Sequence, residues 1–346
     1  MNTHNTFGID LAKRIFHIVQ LDHNGKKVLS LKLDRNKMHE FITKIPKKSV
    51  IAMEACSGCH YWAQQAGKAG LTVKVLKTTD VKAYAKTKQK NDSNDALAIA
   101  KAARDPELKA VTPKSPEEQY IMLLHKLRSN SIQNRIKKSN SLMAVLAEFG
   151  YIAKCNKSTF GKIAEAEIIS AFQQEYISNE SKELLLLEAA EIMREYAKEH
   201  ELDKLIIAKN KTNEKAKLLQ TITGIGPINA SILSISPIES YESPRDFSAS
   251  LGLVPSQSTT GGKVSLGRIT KKGACYNRTM LIQAGRSVAM QARIQKNPTD
   301  KLIIWAKKLH LQGKEFNKVC VAIANKLARI SHAVVCNGSA YQADYA

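Results

Sequence analysis

Apolar and polar positions alternate through TFGID, IFHIVQLD and KVLSLKLD, and that period of two predicts three strands between residues 6 and 34. His23-Asn24-Gly25 separates the second from the third and carries the Asn-Gly signature of a hairpin. Helical spacing follows in NKMHEFITKI, residues 36–45. SVIAMEA (49–55) then reads as a short buried strand, His60 to Lys68 as a helix, Leu71 to Lys77 as a strand and Asp95 to Arg104 as an Ala-rich helix. The order β-β-β-α-β-α-β-α predicts a mixed sheet flanked by helices.

Asp105-Pro106, Pro113 and Pro116 break this pattern. From Glu117 to about Gln220 the chain is helical in period, polar and almost without Pro. SKELLLLEAAEIMREYAKEHELDKLIIAKN predicts one long helix or a helical hairpin, read either as a packed spacer or as a dimerising coiled coil. A third region begins near Leu218. It holds TITGIGPINASILSI, a Pro-rich connection, the Gly-rich stretch TTGGKVSLG, a basic stretch and two helical stretches ending in KVCVAIANKLARISHAVV.

Composition narrows the function. The chain has 346 residues, 53 Lys+Arg against 31 Asp+Glu, and a formal net charge of +22, an excess that suits a polyanionic partner. Hydrophobic residues make up 43%, enough for folded cores and too many for a disordered basic tail. The N-terminus has no signal-peptide pattern, and no apolar run is expected to span a bilayer. The six cysteines are dispersed, so reduced thiols in a cytoplasmic protein are expected.

Within this basic chain, four acids stand where strand ends and a helix mouth fall: Asp10, Glu54, Asp92 and Asp95. Asp92 and Asp95, three apart, share a helix face. Together they suit two-metal chemistry on a phosphodiester, which needs carboxylates around cations about 3.5–4 Å apart. Taken singly, Asp92 reads as a helix cap and Asp10 as a turn residue. Further on, Lys263, Arg268, Lys271, Lys272, Arg278 and Arg286 suit phosphate contacts, as do Lys86, Lys88 and Lys90 beside the acidic pair. Arg128, Arg135, Lys137 and Lys138 offer a second basic set. Thr223-Gly224-Ile225-Gly226-Pro227 resembles a helix-hairpin-helix turn, whose amides at Gly224 and Gly226 would meet a phosphate; a turn that only packs is the alternative. Cys56-Ser57-Gly58-Cys59-His60 matches a haem-attachment pattern, but no export signal or second ligand pair supports haem or zinc.

GID, MEACSGCHYWA and KNDSNDALAIA, followed by SLGLVPSQSTTGGKVSLGRITKKGACYNRTMLIQAGRSV and VAIANKLARISHAV, resemble the DEDD transposases of bacterial insertion sequences. That family includes the pilin-gene invertases and the bridge-RNA-guided recombinases. The resemblance covers nearly the whole chain. It implies an α/β plus α protein: a RuvC-like RNase H-fold domain over 1–112, a helical coiled-coil segment over 113–215, and a mostly helical C-terminal transposase domain over 216–346. It implies an acidic tetrad on Asp10, Glu54, Asp92 and Asp95 holding Mg²⁺ or Mn²⁺, and a hydroxyl nucleophile in the C-terminal domain. Aligned without a gap, Thr259 takes the place of the family's usual serine; Ser258 lies one residue earlier and Thr260 is a third candidate. The glycines after them would let the backbone approach a phosphate. DNA, a guide RNA encoded by the element, and a homo-oligomer (a dimer, or a tetramer on DNA) are the implied partners, with no membrane. A junction-resolving nuclease that uses water, and a nucleic-acid-binding relative without catalysis, remain the alternatives.

Overall fold

A computed structural model describes residues 5–85, 91–153, 157–173 and 177–345. The chain divides into two compact units, Met1–Glu117 and Glu118–Ala346.

In the first unit β1 (Thr6–Asp10), β2 (Ile15–Leu21) and β3 (Lys27–Asp34) form the antiparallel meander that the alternation predicts. Helix α1 (Arg35–Lys44) follows, capped by the Asp34 side chain on the Lys37 amide. Strand β4 (Val50–Glu54), helix α2 (Cys59–Lys68) and strand β5 (Thr72–Leu76) add parallel neighbours. The sheet order is β3-β2-β1-β4-β5. Helices α3 (Thr78–Lys82) and α4 (Asp92–Ala102) complete the unit.

Strand parity sorts the two faces. Phe7, Ile9, Phe16, Ile18, Ile51 and Met53 pack with Met38, Ile42 and Trp62 of α1 and α2. The alternate residues, Gly8, Val19, Leu21 and Ala52, face α4. That second face is floored by small residues, and α4 presents Ala96 and Ala100 to it. A Cβ added to Gly8 would stand 2.2 Å from the Ala96 carbonyl oxygen and 2.4 Å from the Ala100 amide nitrogen. Glycine is what lets the helix lie directly on the strand.

The second unit begins with α5 (Pro116–Glu148), α6 (Lys157–Ala171) and α7 (Asn179–Asn210). Arg128 pairs with Asp203 and Glu199, Arg135 with Glu199 at 3.1 Å, and Lys138 with Glu191, a descending order that makes α5 and α7 antiparallel. These cations, read from the sequence as a nucleic-acid grip, are spent on the helix pair. The C-terminal helices are α8 (Glu214–Leu219), α9 (Pro227–Ser234), α10 (Pro244–Ser250), α11 (Cys275–Ile294), α12 (Lys301–Leu311) and α13 (Phe316–Asn337). Their core includes Leu219, Phe247, Leu281, Val288, Ile323 and Leu327. His125 of α5 is buried between Tyr276 Oη and Ser231 Oγ, each at 3.1 Å, which ties α5 to α11 and α9.

One expectation needs correction. Helix α13 is long and apolar enough to cross a bilayer by length and composition. It is the core helix of this unit: Val319, Ile323, Leu327 and Val334 are buried in that apolar cluster.

Between α10 and α11 lies a two-stranded ribbon, β6 (Pro255–Thr260) and β7 (Lys263–Ile269). The sequence suggested a Gly-rich loop. Gly261 and Gly262 instead take φ of +56° and +77° and close a two-residue hairpin turn. Positive φ at both central residues is what such a turn requires, and the twist of the flanking strands favours it.

Candidate functional site

Parity and packing bring the acids of the first unit together. Asp10 follows Gly8 by two residues and Glu54 follows Ala52 by two, so both carboxylates face the α4 side. β1 and β4 are parallel neighbours in register, Ile9 opposite Met53, so Asp10 and Glu54 end their strands side by side. Helix α4, seated on Gly8, brings Asp92 and Asp95 to the same strand ends. The cap of α4 is Asn91, whose side chain accepts from the Ser93 amide at 3.0 Å. The capping role anticipated for Asp92 is therefore filled by its neighbour, which leaves the Asp92 carboxylate exposed at the helix mouth.

The electrostatics record this convergence. Desolvation, and then the charges of Asp95 and Asp92, push the Asp10 carboxyl above its ordinary value. Desolvation also raises Glu54, with Asp10 and Asp95 adding to it, against a hydrogen bond from the Thr78 side chain. Like charges are thus held together inside a chain of net charge +22.

The sequence reading missed His17. On β2 it is the residue directly opposite Asp10 across the antiparallel pair, and its parity points it at α4. It is 7% exposed. Donor atoms of Asp10, His17 and Asp92 all lie within 4.8 Å of one another, the one such group of three among the described residues. His17 Nδ1 stands 3.4 Å from Asp92 Oδ2. Glu54 and Asp95 lie outside that innermost trio. The available signal was register: once the meander is accepted, the residue facing Asp10 follows from the pairing.

The other expected residues fall in several settings. Lys86, Lys88 and Lys90 lie outside the described residues. Ser258, Thr259 and Thr260 are exposed on β6, paired with Ser265, Val264 and Lys263. Ser258 shares its face of the ribbon with Thr260 and Lys263; Thr259 shares the other with Gln257, whose amide donates to its hydroxyl at 3.2 Å. Lys263, Arg268, Lys271 and Lys272 are exposed. Arg278 is not available to phosphate: it is buried, and its guanidinium donates to the carbonyls of Leu251 at 2.9 Å and Lys272 at 3.3 Å. Gly224 takes φ +89°, and a Cβ there would stand 2.4 Å from Val288 Cγ2, so its glycine serves the turn and the packing on α11. Gly226 precedes α9 and is exposed. Cys56 and Cys59 are free thiols outside any metal-binding cluster among the described residues.

Comparison with known proteins gives the family. Residues 7–150 match the transposase family model of the DEDD group of IS110, and residues 216–299 match the family described as transposase IS116/IS110/IS902. A probable family 20 transposase of Pseudomonas aeruginosa is 35% identical over 97% of this chain and 98% of its own length. The transposase for insertion sequence element IS1328 of Yersinia enterocolitica is 32% identical over 96% and 97%. A pilin gene-inverting protein of Moraxella bovis is more distant, 22% identical over 95% and 94%. The chain belongs to the IS110 family of transposases, enzymes that cleave and rejoin DNA.

Proposed function

We propose that Asp10, Glu54, Asp92 and Asp95 are the DNA-cleaving centre of an insertion-sequence recombinase, and that a hydroxyl of the β6–β7 ribbon is its nucleophile. The observation that carries this reading is the placement of Asp10, Glu54 and the mouth of α4 on one side of the sheet, made possible by Gly8. The donor set fits a divalent cation, Mg²⁺ or Mn²⁺: carboxylates whose burial, and then mutual charge, raise their affinity for protons, beside a buried imidazole nitrogen that makes no hydrogen bond among the described residues. Such a cation supplies charge neutralisation and orientation of the scissile phosphate.

The hydroxyl oxygen of Ser258 or Thr259 bonds to phosphorus as the bond to a deoxyribose oxygen breaks. The proton leaving the side chain balances the one taken up by the released deoxyribose hydroxyl. Attack by a hydroxyl of the partner strand reverses the step and rejoins DNA without an external energy source. Ser258 is favoured over Thr259 because Lys263 lies on its face of the ribbon and suits a phosphate; Thr260, directly opposite Lys263, shares that face and is the third candidate. Lys263, Arg268, Lys271 and Lys272 hold nucleic-acid backbone, and a guide RNA from the element supplies sequence choice. Two duplexes and several strand breaks call for at least a dimer, and a tetramer on DNA.

The test is covalent capture. Protein, element-end DNA, flanking-region RNA and Mg²⁺ are incubated and denatured, and the adduct is mapped by mass spectrometry. An adduct on Ser258 or Thr259 that disappears in Asp10→Ala is expected. Cleavage with no adduct would replace this reading with a nuclease that uses water.

A further inference from the structure

We propose that His17 is a ligand of the cation held at the acidic site, which makes that site a mixed nitrogen–oxygen centre with a preference for Mn²⁺ over Mg²⁺. The inference rests on the reading of the tetrad as a metal site and adds a residue that the acidic pattern does not contain.

Register puts His17 opposite Asp10, and parity turns it to the side on which Asp10, Glu54 and α4 meet. The side chain is buried, and its Nδ1 has no hydrogen-bond partner among the described residues. A buried ring nitrogen left unpaired is costly, so its neighbours are informative. Asp92 Oδ2 stands 3.4 Å from it, beyond the 2.7–3.2 Å range of a good hydrogen bond. That separation suits two donors of one cation. Two donors that each lie about 2.1 Å from a shared cation can stand no more than about 4.2 Å apart, and 3.4 Å falls inside that span. The Asp10 carboxylate completes the trio, all donors within 4.8 Å of each other.

The donor chemistry sets the preference. Mg²⁺ takes oxygen ligands and gives up water reluctantly. Imidazole nitrogen is a softer donor than carboxylate oxygen and is taken by first-row transition ions more readily than by Mg²⁺; Mn²⁺, at the start of that series, is the one that also favours carboxylate oxygen. The surrounding protein favours the same role: β2 fixes the backbone of His17, and the Ala96/Ala100 packing on Val19 and Leu21 holds α4 against that strand.

The experiment uses the full-length chain with Mn²⁺ as the probe and no DNA. Pulsed electron paramagnetic resonance is expected to show coupling of the bound Mn²⁺ to one ¹⁴N nucleus, replaced by ¹⁵N coupling when histidine is ¹⁵N-labelled. This readout needs no variant and so survives any folding defect. In His17→Gln the coupling is expected to vanish and Mn²⁺ affinity to fall by about tenfold or more, with a smaller loss for Mg²⁺ measured by competition. Mn²⁺ bound in an Asp10-dependent way without nitrogen coupling would overturn the proposal and leave the acidic site standing, with His17 only a positioning partner of Asp92. Mn²⁺ binding unchanged in Asp10→Asn would overturn both.

Discussion

Gly8→Ala is the perturbation that bears most directly on how the acidic site is built. Alanine for glycine at a compatible strand position ordinarily stabilises by about 0.4–1 kcal/mol through the unfolded chain. Gly8 reverses that sign. The new Cβ would stand 2.2 Å and 2.4 Å from two main-chain atoms of α4 and 2.7 Å from Ala100 Cβ, none of which a rotamer change can move. Restoring ordinary contact requires α4 to retreat by about 1 Å. Overpacking of this kind costs about 1–3 kcal/mol, so the net loss is about 1–2 kcal/mol. With a urea dependence of about 2 kcal/mol per molar, the midpoint falls by about 0.5–1 M. Trp62 is buried in the first unit and Trp305 belongs to the second, so a Trp305→Phe background makes tryptophan emission report the first unit alone. The retreat also carries Asp92 and Asp95 away from Asp10, so Mn²⁺ affinity falls with stability. Gly67→Ala is the internal control: it lies in α2 with nothing within 4 Å of the added Cβ and should gain about 0.5–1 kcal/mol. A Gly8→Ala midpoint equal to or above that of the parent would refute the reasoning.

Other consequences are also measurable. Burial holds the His125 imidazole down to about 4 from its ordinary 6.5. Between those values the folded chain binds fewer protons than the unfolded one, so stability rises with pH and is lost as pH falls from 6.5 towards 4. The loss is on the order of 3 kcal/mol, and chemical melts of His125→Gln across that range should be flatter. Asp10 has the opposite sign: its raised value means the metal-free chain loses stability as pH rises from the ordinary 3.8 through the folded value. Asp10→Asn should therefore stabilise the metal-free protein near neutrality, a gain that disappears in acid and is read by calorimetry. Arg128→Ala leaves Asp203 and Glu199 without that partner and should cost about 1.5–3 kcal/mol in thermal melts while leaving the salt slope of DNA binding unchanged. A reduced slope would return Arg128 to the nucleic-acid surface.

Much of the first unit was legible because its signals were local. Two-residue alternation located the first three strands, Asn24-Gly25 the hairpin, and the strand ends the positions of Asp10 and Glu54. His17 was harder, because its role depends on pairing across strands and not on any motif around it. The Gly-rich stretch at 261–262 was read for its freedom to approach phosphate, whereas its positive φ values belong to a hairpin turn. Arg278 and Arg128 show the limit of charge counting. A basic residue near a basic surface looks like a phosphate ligand until its partners, Leu251 and Lys272 carbonyls or the Asp203 carboxylate, are known. Likewise α13 has the length and apolarity of a membrane span, and only packing within the apolar cluster identifies it as a core helix.

The central claim is that the carboxylates at the ends of β1 and β4 and the mouth of α4 cut DNA. The direct measurement is strand cleavage of element-end DNA, with RNA and Mg²⁺ or Mn²⁺, by wild type and by Asp10→Asn, Glu54→Gln, Asp92→Asn and Asp95→Asn, with DNA binding measured in parallel. The account predicts that cleavage is lost in each variant while folding and DNA binding persist. Wild-type cleavage rates in Asp10→Asn and Asp95→Asn would contradict it.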